Sequence, residues 1–149
     1  MHEPTEQTKG KIPDPYVLSF IACDEIIVDM ASKRPTLVNI LHAVAASSFP
    51  ALHPKLGIFT ELTNGHGKLP LEIKMVDTAT ETPVFGFKAD VQFDSPIGVA
   101  TLWFTAYNVV LPKAGEYRIQ MFGNSVNPFM ERRFHLIQRG QSNADPGPS

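Results

Sequence analysis

The tripeptide Cys23-Asp24-Glu25 sets a thiol beside two carboxylates, the groups from which a nucleophile with acid and base partners could be built. The physics of the thiol argues against it. Adjacent negative charge raises a thiol's pKa, whereas a reactive thiolate needs a cation or a helix N-terminus nearby. The five histidines, His2, His42, His53, His66 and His135, are the other source of chemistry. No two stand at the i, i+2 spacing of one strand face or the i, i+4 spacing of one helix face that a metal site uses. A catalytic centre would therefore have to be assembled from distant positions, with Asp24, Glu61, His42 and His66 as its candidates. No residue is assigned to a metal or a cofactor.

Two loops carry the remaining polar chemistry. Ser32-Lys33-Arg34-Pro35-Thr36 presents two adjacent cations, and Asn64-Gly65-His66-Gly67-Lys68 is a turn sequence with a histidine at its tip. Neither is a phosphate cradle, because the second joins two strands and opens no helix. No Gly-x-Ser-x-Gly nucleophile elbow is present. Binding residues are expected in these loops: Lys33, Arg34 and Thr36 in one, Asn64, His66 and Lys68 in the other, together at one end of the fold.

The elements that must position these groups have a period of two. Phe85, Phe87, Ala89, Val91 and Phe93 alternate with Gly86, Lys88, Asp90 and Gln92; Leu71, Ile73 and Met75 alternate with Glu72 and Lys74. Tyr117, Ile119 and Met121 alternate with Glu116, Arg118 and Gln120. Residues 17–28 and 99–111 are apolar on both faces, the pattern of strands covered on both sides, and Trp103 is expected in the core with them. Short Gly-, Pro- and Asn-containing turns separate the runs. The alanines of residues 41–48 predict one short helix of a turn or two. The result is an all-β fold of about eight strands: a two-layer antiparallel β-sandwich, immunoglobulin-like, with a closed barrel as the competing architecture. Tyr117, at a strand start after a Pro-containing turn, is placed like the tyrosine of sandwich corners, whose hydroxyl bonds back to the upstream backbone, or else is a plain core tyrosine.

Strand phase also singles out two charges. Asp24 falls in line with Leu18, Phe20, Ala22, Ile26 and Val28, and Arg132 with Met130, Phe134 and Leu136. A carboxylate on a buried row costs several kcal/mol, on the order of 3–5 when it has no partner. Asp24 and Arg132 are therefore expected either to form a structural ion pair or to lie where a β-bulge resets the alternation and turns them outward.

Composition bounds the rest. The 149 residues suit one domain. Ten glycines and thirteen prolines imply many turns. Thirteen Lys and Arg against fifteen Asp and Glu give a net charge of -2, which removes the electrostatic case for nucleic acid or a polybasic membrane contact. One cysteine excludes an intrachain disulfide framework and a cysteine-based zinc site. The charge-free runs 35–54 and 95–112 hold prolines, or Val, Thr and aromatics, which suits buried strands better than a membrane span. Residues 1–15 and 139–149 are expected to be disordered tails around a domain of residues 16–138. With no leader-like segment ahead of Tyr16, a cytoplasmic location is expected.

The segments SFIACDEIIVD (residues 19–29), SKRPTLVNILHAV (32–44), ELTNGHGK (61–68), AGEYRIQMF (114–122) and MERRFHLI (130–137) resemble a bacterial family of small uncharacterised proteins. The resemblance spans about residues 16–137 and implies a compact all-β domain without an assigned activity, so it supplies no catalytic residue. Three function classes follow. The first is a non-catalytic binding or protein-interaction module, with a protein partner or self-association. The others are a small enzyme with a loop-assembled site, and a carbohydrate- or lipid-binding sandwich.

Overall fold

The computed structural model describes residues 13–140. Nine strands follow in order: β1 (Tyr16–Val28), β2 (Pro35–Leu41), β3 (Ala43–Ala46), β4 (Ala51–Thr63), β5 (Gly67–Asp77), β6 (Thr82–Phe93), β7 (Val99–Leu111), β8 (Gly115–Phe122) and β9 (Met130–Gln138). They form two sheets. The four-stranded sheet has the order β2-β1-β4-β7, and the five-stranded sheet has the order β3-β9-β8-β5-β6. The all-β, two-sheet expectation holds. Of the expected tails, residues 1–12 and 141–149 lie outside the described residues.

Alternation builds the core. Leu69, Leu71, Ile73 and Met75 of β5, Tyr117, Ile119 and Met121 of β8, and Phe134 and Leu136 of β9 face Phe20 and Ala22 of β1 and Leu56, Ile58 and Leu62 of β4. Each such side chain taken fully from water contributes about 1.5–3 kcal/mol. Their polar neighbours on β5, β8 and β9 point to solvent, where Glu116, Arg118, Glu131 and Arg133 make a charge network with N–O separations of 3.4–3.8 Å. The outer face of the five-stranded sheet is therefore wet and charged.

Residues 41–48 are not helical. After β2 the chain turns at His42 from the four-stranded sheet into the other, and Ala43–Ala46 runs parallel to β9, Ala43 opposite His135 and Ala46 opposite Gln138. The His135 amide donates to the His42 carbonyl at 3.2 Å, and the Arg139 amide to the Ala46 carbonyl at 2.7 Å. An exposed edge with free backbone groups outweighs a helix preference of a few tenths of a kcal/mol per alanine. The segment supplies the ninth strand and, among the described residues, the one parallel pair in an otherwise antiparallel fold.

Tyr117 does form a corner. Its buried hydroxyl donates to the Lys113 carbonyl at 2.6 Å and accepts from the Lys113 amide at 3.2 Å. Lys113 in turn reaches Asp77, a buried carboxylate, at 3.1 Å. The turn before β8 is thus tied to the end of β5.

Candidate functional site

The two loops expected to act together lie at opposite ends of β1. Tyr16 pairs with Thr63, next to residues 64–68, whereas Val28 pairs with Pro35, next to Lys33 and Arg34. Thirteen residues of strand separate them, roughly 40 Å at about 3.3 Å per residue if straight. Alternation and turn signals locate loops but not which ends coincide. Around Asn64 the chain is tightly held: the Asn64 amide donates to the Pro96 carbonyl at 2.8 Å, and a Cβ on Gly65 would run into the Phe93 ring. His66 stands exposed at the tip, and Lys68 pairs with Asp90 at 3.5 Å. At the other end Lys33 adopts φ 63 and its amide donates to the Asp29 carbonyl.

The in-phase charges receive different partners. Asp24 accepts from the Asn39 side chain at 3.0 Å and lies 3.5 Å from His53 Nε2, which makes no hydrogen bond among the described residues. Arg132 crosses between the sheets, donates through Nη1 to the Phe20 carbonyl, and places Nη2 3.1 Å from His42 Nδ1. A guanidinium only donates, so that ring nitrogen accepts. Arg132 does stand on the inward row of β9, whereas the Asp24 side chain is 38% exposed, and among the described residues no ion pair joins them. Phase gives a side chain's face and not its neighbour on another strand. The expected bulge exists earlier in β1, between Val17 and Ser19, and it is there that Leu18 is turned outward.

The four candidate catalytic groups are not brought together. Asp24 and His42 have the partners just given, Glu61 accepts from Ser19 at 3.0 Å, and His66 is at a loop tip. Cys23 is fully buried, and burial pushes its thiol pKa up, with the Asp24 charge adding to the rise. That is the opposite of an activated nucleophile. Among the described residues no group of three His, Cys, Asp or Glu side chains could hold a metal ion, and no helix is long and apolar enough to cross a membrane.

What the sequence reading missed lies on the four-stranded sheet. Its register sets out the rows of the face turned away from the core: Ile21, Phe59 and Trp103; Cys23, Gly57 and Thr105; Ser19, Glu61 and Thr101. Phe59 and Trp103 are half-buried and stand outside the core cluster, and Tyr107 is 66% exposed. Ile40 of β2, Val99 of β7 and the paired Leu52 and Val110 add further exposed apolar area. Gly57 makes room for Ile26 and Cys23 in the middle of this face, because a Cβ there would lie 2.9 Å from Ile26 Cγ1 and 3.0 Å from Cys23 Sγ. On these rows the charges are Glu61 and the Glu25–Lys55 pair at 3.2 Å. The expected covering of residues 99–111 is absent: β7 is an edge strand, and Trp103 looks outward. Runs apolar on both faces signal burial only if something lies on both faces. The signal available was that the charge-free runs of residues 35–54 and 95–112 contain both edge strands of one sheet.

A second surface feature is a cleft of about 710 Å³ on the outer face of the five-stranded sheet, roofed by residues 123–126. Glu72, Lys74, Lys88, Asp90 and Phe122 line it, with the Lys74 ammonium 4.8 Å over the Phe122 ring.

The geometry thus offers a weakly charged aromatic sheet face whose edge strands carry no charged residue, and a separate mixed-charge cleft. Comparison with the curated proteins finds no match. The family model described as a family of unknown function, DUF6941, matches residues 18–126, from within β1 to the roof of the cleft, and the chain belongs to that family.

Proposed function

We propose that this protein is a non-catalytic interaction module whose working surface is the outer face of the four-stranded sheet. The observation that carries this reading is the outward row Ile21, Phe59 and Trp103 on a sheet whose two edge strands hold no charged residue. Aromatic side chains on a patch poor in charge are what protein interfaces enrich and what an isolated surface avoids. The opposite sheet shows the contrast within one molecule, since its outer face carries paired charges. The dispersal of Asp24, His42, Glu61 and His66 favours binding over catalysis.

The test is capture of binding proteins from a native lysate by the wild-type chain and by Phe59→Lys. Phe59 lies outside the core cluster, so the variant should fold. The reading expects an identified partner that the wild type retains and the variant loses. Equal retention by both would sink it. The second reading, ligand binding, is favoured by the cleft at Lys74 and Phe122; there a Lys74→Glu variant would lose a small ligand that Phe59→Lys keeps.

A further inference from the structure

Among the described residues the two sheets present four edge strands, and three of them are guarded. β2 begins with Pro35 and is interrupted at Asn39, which has φ 56. β3 is four residues long. β6 carries Pro83 and the exposed charges Lys88 and Asp90. Short length, proline, charge and local irregularity are the usual means of keeping an edge from pairing. β7 has none of these from Val99 to Tyr107; its first irregularity is Asn108, with φ 53.

That unguarded stretch reads Val-Ala-Thr-Leu-Trp-Phe-Thr-Ala-Tyr, and it is nearly the same in reverse. Laid antiparallel on a second copy about Trp103, it places Thr101 opposite Thr105, Val99 opposite Tyr107 and Trp103 opposite itself on the outer face. On the inner face Ala100 meets Ala106, and Leu102 meets Phe104. Aromatic, threonine and aromatic–aliphatic pairs are the favourable cross-strand combinations, and no like charges are opposed because the stretch has no charge. A two-fold axis through Trp103 repeats each pair reciprocally, so every favourable match is made twice.

We propose that β7 is a homodimerisation edge: two copies pair Val99–Tyr107 antiparallel about Trp103, joining their four-stranded sheets into one continuous eight-stranded sheet. This rests on the interaction reading above and names its partner as a second copy of this chain. The joined sheet brings both outward aromatic rows onto one surface, so dimerisation would double the face offered to any further partner.

The experiment is sedimentation of the full chain and of two charge variants. Thr101→Lys with Thr105→Lys opposes lysines in both outer threonine pairs, and Thr101→Glu with Thr105→Glu opposes glutamates. The wild type should sediment at twice its 16.4 kDa, each variant alone at the single mass, and an equal mixture of the two variants again at twice that mass. Should the doubly charged chains fail to fold, Thr101→Cys and Thr105→Cys made separately replace them, and a disulfide-linked dimer should form under mild oxidation only when the two are mixed. A wild-type chain of single mass, charge variants that stay dimeric, a mixture that does not recombine, or cysteine variants that cross-link equally alone would overturn the proposal. A single-mass wild type that still binds a foreign protein through Phe59 would overturn the dimer and leave the interaction reading standing.

Discussion

Trp103 of β7 stands directly opposite Phe59 of β4 on the side of the sheet that faces away from the core. Two large rings are thus spent outside the core of a domain whose interior is built mainly from aliphatic side chains. Their position makes stability and interaction separable by mutation.

Phe59→Ser should lower unfolding stability by about 1 kcal/mol or less, because the ring is only half-buried, whereas Ile73→Ala in the core should cost about 2–5 kcal/mol. Urea denaturation of the two variants measures the difference. Equal costs would mean that the aromatic face is structural.

Tyr117→Phe should destabilise by about 1–2 kcal/mol, since the ring still fills its space but the Lys113 amide and carbonyl lose their partner. Burial raises the Tyr117 pKa, and the Asp77 charge adds to the rise. A raised folded pKa means the unfolded chain ionises first. The contribution is present below the ordinary tyrosine range and is lost as pH rises through the folded value. Tyr117→Phe should therefore flatten the alkaline limb of stability against pH.

Cys23 should react with a thiol reagent in the folded protein only as fast as the protein opens, because the group is buried and its pKa is raised by that burial. The rate should rise to that of an exposed cysteine in denaturant. Rapid native labelling would show that the outer face is open as far as Cys23.

Asp29 closes the β1–β2 turn by accepting from the Ser32 amide at 2.7 Å, and that backbone bond holds its carboxyl below the usual range. With a depressed folded pKa, its contribution is present above the ordinary carboxylate range and is lost as pH falls through the folded value. Asp29→Ala should remove that part of the acid dependence, read as a smaller stability difference between neutral and acid pH in thermal melts.

Period-two alternation made most of the fold legible: Leu71, Ile73 and Met75 face inward as their spacing requires, and so does Arg132. Partners were not legible, because Arg132 meets Phe20 and His42 through the folding of β2 across the sandwich corner at residue 42, which no local pattern encodes. The alanines of β3 gave the wrong element for the same reason, since the deciding bonds come from β9. The candidate surface was hidden by a sound rule applied without knowledge of strand order: β1 is internal and β7 is an edge, yet both read as apolar on two faces.

Amide hydrogen exchange, compared between the free chain and the chain associated with a partner, whether a second copy or a captured protein, tests the central claim most directly. Protection should concentrate in β7 and in the neighbouring outer-face segments of β4 and β1, with residues 123–126 and the charged face of the five-stranded sheet unchanged. Protection confined to the cleft around Lys74 and Phe122, with β7 exchanging alike free and bound, would contradict it.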